Sequence, residues 1–195
     1  MSRFLAVCFL PLFVYAQNTT KEDIKPYEDS EAYNVYAAVL ALKRAKGEVL
    51  IADTTVAFND CMETRSDEPV DAAIENYKKI NQVRWRLGYH FESTGLYKLL
   101  TAEEAKALLP PHKSTGEWPL SPEHGIHRFS AVGFNSDKTI AFVETDVICG
   151  TLCGHGSPYI LQKKKGKWVE YSPPTTENPD GTITMHSQSI CGWYY

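Results

Sequence analysis

The residues best equipped for chemistry gather around a glycine-flanked imidazole, His155, in the segment Cys153-Gly-His-Gly156. Two carboxylates, Glu144 and Asp146, precede it in a β-rich stretch, and a second imidazole, His186, follows near the C-terminal end. Imidazole and carboxylate together suit two tasks, holding a divalent cation or exchanging protons near neutral pH. Trp118, in a proline-rich stretch, offers an aromatic surface to a ligand. The spacing sets no distance among these groups, and charged side chains of this kind are more often structural than functional. The sequence holds no Gly-x-Ser-x-Gly, no His-Glu-x-x-His, no P-loop and no dinucleotide fingerprint, so neither a cofactor nor a resident metal is expected. His124 and His127 read as residues at a loop edge. Lys163, Lys164, Lys165 and Lys167 read as a solvated hairpin tip.

Cysteine usage depends on the compartment. Met1 to Ala16 reads MSRFLAVCFLPLFVYA, with one early cation, an apolar run, and Val14 and Ala16 as small residues before a cleavage point. An apolar run of about a dozen residues is shorter than the roughly 20 needed to cross a bilayer. The expectation is a signal peptide over residues 1–16, a secreted or periplasmic chain, and no stable membrane insertion once the leader is removed. Removing Cys8 leaves Cys61, Cys149, Cys153 and Cys191, an even number where disulfides persist. Among the three possible pairings we favour Cys149 with Cys153, which share a short glycine-rich segment, and Cys61 with Cys191. The Cys-x-x-x-Cys spacing matches neither a thioredoxin motif nor a zinc knuckle.

The elements that must carry these groups follow from periodicity. A polar lead over residues 17–29 precedes a helix capped by Ser30, whose wide apolar stripe (Tyr33, Tyr36, Ala37, Leu40) implies burial and which ends near Gly47 after Lys43, Arg44 and Lys46. Residues 48–58 have the β-branched content of a strand. Asp67-Glu-Pro69 opens a second helix with Val70, Ala73, Ile74, Tyr77 and Ile80 on one face. Leu96 to Leu100 reads as a short strand, Thr101 to Glu104 as a capping box, and Pro110 to Gly125 as a long loop.

The second half reads as β. Ile126 to Phe134 is one expected strand, Asn135 to Lys138 a turn, and Thr139 to Cys149 the next strand, with Ala141, Val143, Val147 and Cys149 sharing a face. Ile140, Phe142, Glu144, Asp146 and Ile148 occupy its other face. A hairpin around Lys164-Lys165-Gly166 and a last strand from Thr182 complete the set. The expected fold class is α+β: an antiparallel β-meander of at least four strands with the N-terminal helices packed on one face. It forms a single domain over residues 30–195, with a helical half at about 30–110 and a β half at about 126–195.

Three runs carry a resemblance: Phe129 to Val143 (FSAVGFNSDKTIAFV), Cys149 to Gly156 (CGTLCGHG) and Tyr159 to Trp168 (YILQKKKGKW). They are similar to the patterns "SRVGFN.D.T.ALV", "CG.LCG.G" and "YYLL.K..GKW" of a group of exported bacterial proteins without assigned function. The likeness spans about residues 96–195, and Ala131 stands where that group tends to have Arg. It implies a secreted domain and supplies no active-site residues.

The composition fits an ordinary globular domain, 43% hydrophobic and 23% charged, and the net charge of −4 provides no field to attract nucleic acid. The function expected from sequence is a secreted or periplasmic disulfide-stabilised domain that binds or builds rather than catalyses. The alternative is a small metal-dependent or acid/base hydrolase using His155, Glu144, Asp146 and His186.

Overall fold

The structure, a computed structural model, describes residues 23–43, 47–57, 68–91, 95–109, 120, 124–150, 153–173, 175–177, 183–185 and 193–194. The leader, Cys61, Cys191, Trp118 and His186 lie outside these residues. Strand β1 (Lys25–Pro26) precedes helix α1 (Ser30–Leu42), whose cap is Asp29 rather than the expected Ser30, the Asp29 carboxylate accepting from the Glu31 amide at 3.1 Å. Strand β2 (Val49–Ala52), helix α2 (Glu68–Ile80), strands β3 (Trp85–Arg86) and β4 (Tyr97–Leu100), and helix α3 (Ala102–Leu108) follow. The Thr101/Glu104 capping box forms in full, satisfying two amides that the first turn of α3 leaves without helical partners.

The β half comprises β5 (Ile126–Phe129), β6 (Gly133–Phe134), β7 (Ile140–Gly150), β8 (Cys153–Lys164), β9 (Lys167–Glu170), β10 (Thr175–Glu177), β11 (Ile183–Met185) and β12 (Trp193–Tyr194). The main sheet runs β12-β8-β7-β5-β2-β4, with β6 added to β7 and β9 to β8, while β1–β3 and β10–β11 form small pairs. An α+β architecture is therefore present, with two corrections to the expected meander. First, the sheet is mixed, because β2 pairs in parallel with both β4 and β5. Parallel pairing requires a crossover, and α2 with its flanks supplies the one between β2 and β4. Second, the helices do not share a face. The α1 residues Val35, Tyr36 and Val39 pack with Ala141, Val143 and Leu161, whereas Ala73, Ile74 and Tyr77 of α2 pack with Ile140, Phe142 and Ile160. Alternate residues of β7 point to opposite sides, so α1 and α2 cover opposite faces of the sheet. This double cover explains why nearly every residue of β7 is buried.

The expected strand 126–134 is broken in the middle. Between β5 and β6, side chains from elsewhere take the backbone groups that a continuous ladder would use. Asn81 bonds both the amide and the carbonyl of Ala131, Tyr27 Oη accepts from the Val132 amide at 3.0 Å, and Tyr36 Oη donates to the Ser130 carbonyl at 2.8 Å. Satisfying those groups off the sheet makes the break tolerable. Tyr27, within the expected polar lead, is itself buried. Gly133 sits where α2 meets β6, and a Cβ there would collide with the Ala73 carbonyl and the Tyr77 backbone. The β8–β9 hairpin turns through Lys165 (φ 50°) and Gly166 (φ 77°), the left-handed pair that a two-residue turn requires.

Candidate functional site

The register of the sheet assigns each candidate residue to a face. Residues directly opposite one another on neighbouring strands project to the same side. One row runs Leu99, Ile51, His127, Val147 and His155 across β4, β2, β5, β7 and β8. Ile51 and Leu99 belong to the cluster beneath α1, so this row faces α1. Phe129, Thr145 and Ser157 form a second row on that face, and Val143 with Tyr159 a third. Arg128 and Asp146 form a pair on the opposite side, as does Glu144 with Pro158, and that side faces α2.

Glu144 and Asp146 thus lie on one face of the sheet and His155 on the other. The two carboxylates are buried rather than solvated, and each is held by a donor. Tyr77 Oη, from α2, donates to Glu144 Oε2. Arg128 Nε donates to Asp146 Oδ1 at 2.9 Å and its Nη2 to Oδ2, a two-pronged contact to a fully buried carboxylate. Burial raises the Asp146 carboxyl above its usual range, and the Arg128 guanidinium works against that rise. His155 is half-buried on β8. Burial, reinforced by the Lys43 charge, lowers its imidazole below the usual value.

Lys43, Tyr77, Thr145 and Arg128 did not stand out in the sequence as site residues, and His127 read as a residue at a loop edge. His127 is 6% exposed, and burial together with the Lys43 and His155 charges pushes its imidazole down to about 4. Lys43, the C-cap of α1, carries its ammonium 5.9 Å from the Tyr159 ring centre, and burial pushes it down to about 8. Arg128 had one legible signal: a basic residue in a strand between Ile126 and Phe129 invites an acid opposite. Nothing local to Lys43 separates it from an ordinary last-turn cation.

Cys149 and Cys153 are joined at the β7–β8 end, with Cα atoms 5.1 Å apart. They tie the strand bearing Thr145 and Val147 to the strand bearing His155. No group of three or more His, Cys, Asp or Glu side chains suited to a metal ion occurs among the described residues. Among the same residues no helix is long and apolar enough to cross a membrane.

A separate open cleft of 780 Å³ is lined by Asp53, Thr54, Arg84, Arg86, Thr101 and Glu103 among others. It lies outside the carboxyl ends of the parallel strands β2 and β4, where ligands of mixed sheets commonly sit. Arg86 pairs there with Asp53.

No protein-family model matches the chain, and neither a curated protein nor a solved structure gives a significant match to it.

Proposed function

We propose that this chain is an exported, disulfide-stabilised domain that binds a ligand rather than transforming one. The observation that carries the reading is the engagement of both candidate carboxylates. Glu144 accepts from Tyr77 and Asp146 from Arg128 on the α2 side, while His155 occupies the α1 side. A general base or a metal ligand must reach a shared reacting point with its partner imidazole, and a sheet one residue thick separates these. The Cys149–Cys153 bridge and the leader-like residues 1–16 support export, and the 780 Å³ cleft falls within the size range of ligand pockets.

Expression in an export-competent host tests the reading. The expected product begins at Gln17 by mass, shows no free thiol when denatured without reductant, and retains no stoichiometric metal. Free thiols at Cys61 and Cys191 with bound zinc would refute the disulfide assignment. Metal-dependent hydrolysis that disappears in His155→Ala would establish the hydrolase instead.

A further inference from the structure

The 780 Å³ cleft is built by four segments of the chain that meet at Asp53. The Asp53 amide donates to the Leu100 carbonyl at 2.8 Å, and the Asp53 carbonyl accepts from the Leu87 amide at 2.8 Å. Asp53 therefore stands between the start of α3 on one side and β3 on the other. Its carboxylate accepts from Arg86 Nη1 at 2.5 Å and from the Thr54 hydroxyl at 3.3 Å, so the floor of the cleft is a paired charge. Thr101 and Glu103 line one wall, from α3 and its cap, and Arg84 lines the other, just ahead of β3. The parallel register of Lys25 with Trp85, continued one step back, brings Ile24 level with Arg84 and Asp23 next to it. Among the described residues Asp23, Arg84 and Glu103 form no ion pair. Charges of both signs thus face one volume, and only Asp53 and Arg86 are matched.

From this arrangement we infer that the cleft binds a free α-amino acid, one with a basic side chain in preference to an acidic one. This rests on the reading of the chain as a binding domain and names that domain's ligand class. The Arg84 guanidinium receives the ligand carboxylate, joined by the Arg86 donors that Asp53 leaves unused, since Arg86 keeps 46% of its side chain exposed. Glu103, across the cleft, receives the α-ammonium. A purely anionic ligand such as phosphate would meet Asp23 and Glu103, and a purely cationic one would meet Arg84. A molecule carrying both signs meets a complementary group at each end. Over all the charged lining residues, three carboxylates stand against two guanidiniums, and a second cation on the ligand suits the carboxylate in excess, Asp23. Lys98 and Glu104, on the neighbouring elements, pair with each other at 3.7 Å and do not alter that balance. Among the described residues no aromatic ring lines the cleft, which removes the stacking platform that a nucleobase would use.

The test is calorimetry on the full mature chain at low salt, with L-lysine, L-glutamate and cadaverine, which is lysine without its carboxylate. L-Lysine is expected to bind one to one, and glutamate and cadaverine each about ten-fold more weakly or worse. Arg84→Met should weaken L-lysine about ten-fold and leave cadaverine no weaker, whereas Glu103→Gln should weaken both by about that factor. Each variant replaces an exposed side chain, so both should retain the native circular dichroism. Absence of saturable L-lysine binding, or L-lysine affinity unchanged in either folded variant, overturns the site. Cadaverine or glutamate bound as tightly as L-lysine overturns the ligand class. Each of these results would leave a binding domain standing, whereas metal-dependent hydrolysis lost in His155→Ala would end the domain reading itself.

Discussion

On the face of the sheet turned toward α2, buried charge is met by a donor: Tyr77 for Glu144, and the Arg128 fork for Asp146. On the face turned toward α1, an ammonium, an imidazole nitrogen and a hydroxyl are buried without any hydrogen-bond partner among the described residues. Both faces draw on β5 and β7, and a single step along either strand moves from one regime to the other. Charge paired within the fold is already spent on structure. Polar groups that the fold leaves without a hydrogen bond carry a standing cost.

The sharpest way to break this contrast is Arg128→Ala, which leaves a fully buried Asp146 carboxylate without the cation that hydrogen-bonds it. It should cost about 4 kcal/mol in urea denaturation at pH 7, whereas Arg128→Met with Asp146→Leu should cost far less. Equal losses in the single and double variants would show that the α2 face does not depend on charge compensation.

Next in size is the effect of acid on the α1 face. His127 protonates near 4 in the folded chain and near 6.5 when unfolded, so the unfolded chain takes up the proton first as pH falls. Its contribution to stability is complete above pH 6.5 and is lost on descending through pH 4, a change on the order of 3 kcal/mol. His155 shifts in the same direction. Denaturation midpoints across this range should fall steeply in the wild type and less steeply in His127→Gln.

Lys43→Met sharpens the comparison from the opposite direction, since removing a buried charge that has no hydrogen-bond partner should stabilise the chain. A gain of about 2 kcal/mol is expected at pH 7, after allowance for screening. Because the folded ammonium titrates near 8 and the unfolded one near 10.5, wild-type stability rises through that window and the gap between the two closes. A gap that stays constant to pH 11 would show that Lys43 stays charged in the fold. The smallest effect belongs to Tyr77→Phe, which removes one donor from Glu144 and should cost about 1.5 kcal/mol in thermal or urea unfolding.

Much of the local structure was legible. The wide stripe from Tyr33 to Leu40, the Pro69 start of α2, the Thr101/Glu104 box and the Lys165-Gly166 turn are each written in neighbouring residues and recur in the fold. So was the division of β7, with Ala141, Val143 and Val147 on one side and Glu144 with Asp146 on the other. The parallel partners of β2 were not legible, because alternation says which residues share a face and nothing about which strand lies beside them. The break after Phe129 was hidden for a related reason: the groups that replace its ladder come from Tyr27, Tyr36 and Asn81, remote in sequence.

By itself the sequence determined which short segments turn, coil or extend, and which side chains of each share a side, since these follow from interactions within a few residues. It also supplied the close Cys149 and Cys153 that form the observed bridge. Only the tertiary structure decided that α1 and α2 lie on opposite faces, that His155 is separated from Glu144 and Asp146, and that Lys43 comes to lie over the face that carries His127 and Thr145. The physical reason is that burial and charge pairing depend on what packs across the sheet. That is settled by contacts between residues remote in the chain, such as Tyr36 with Ser130, 94 positions apart, rather than by any local run.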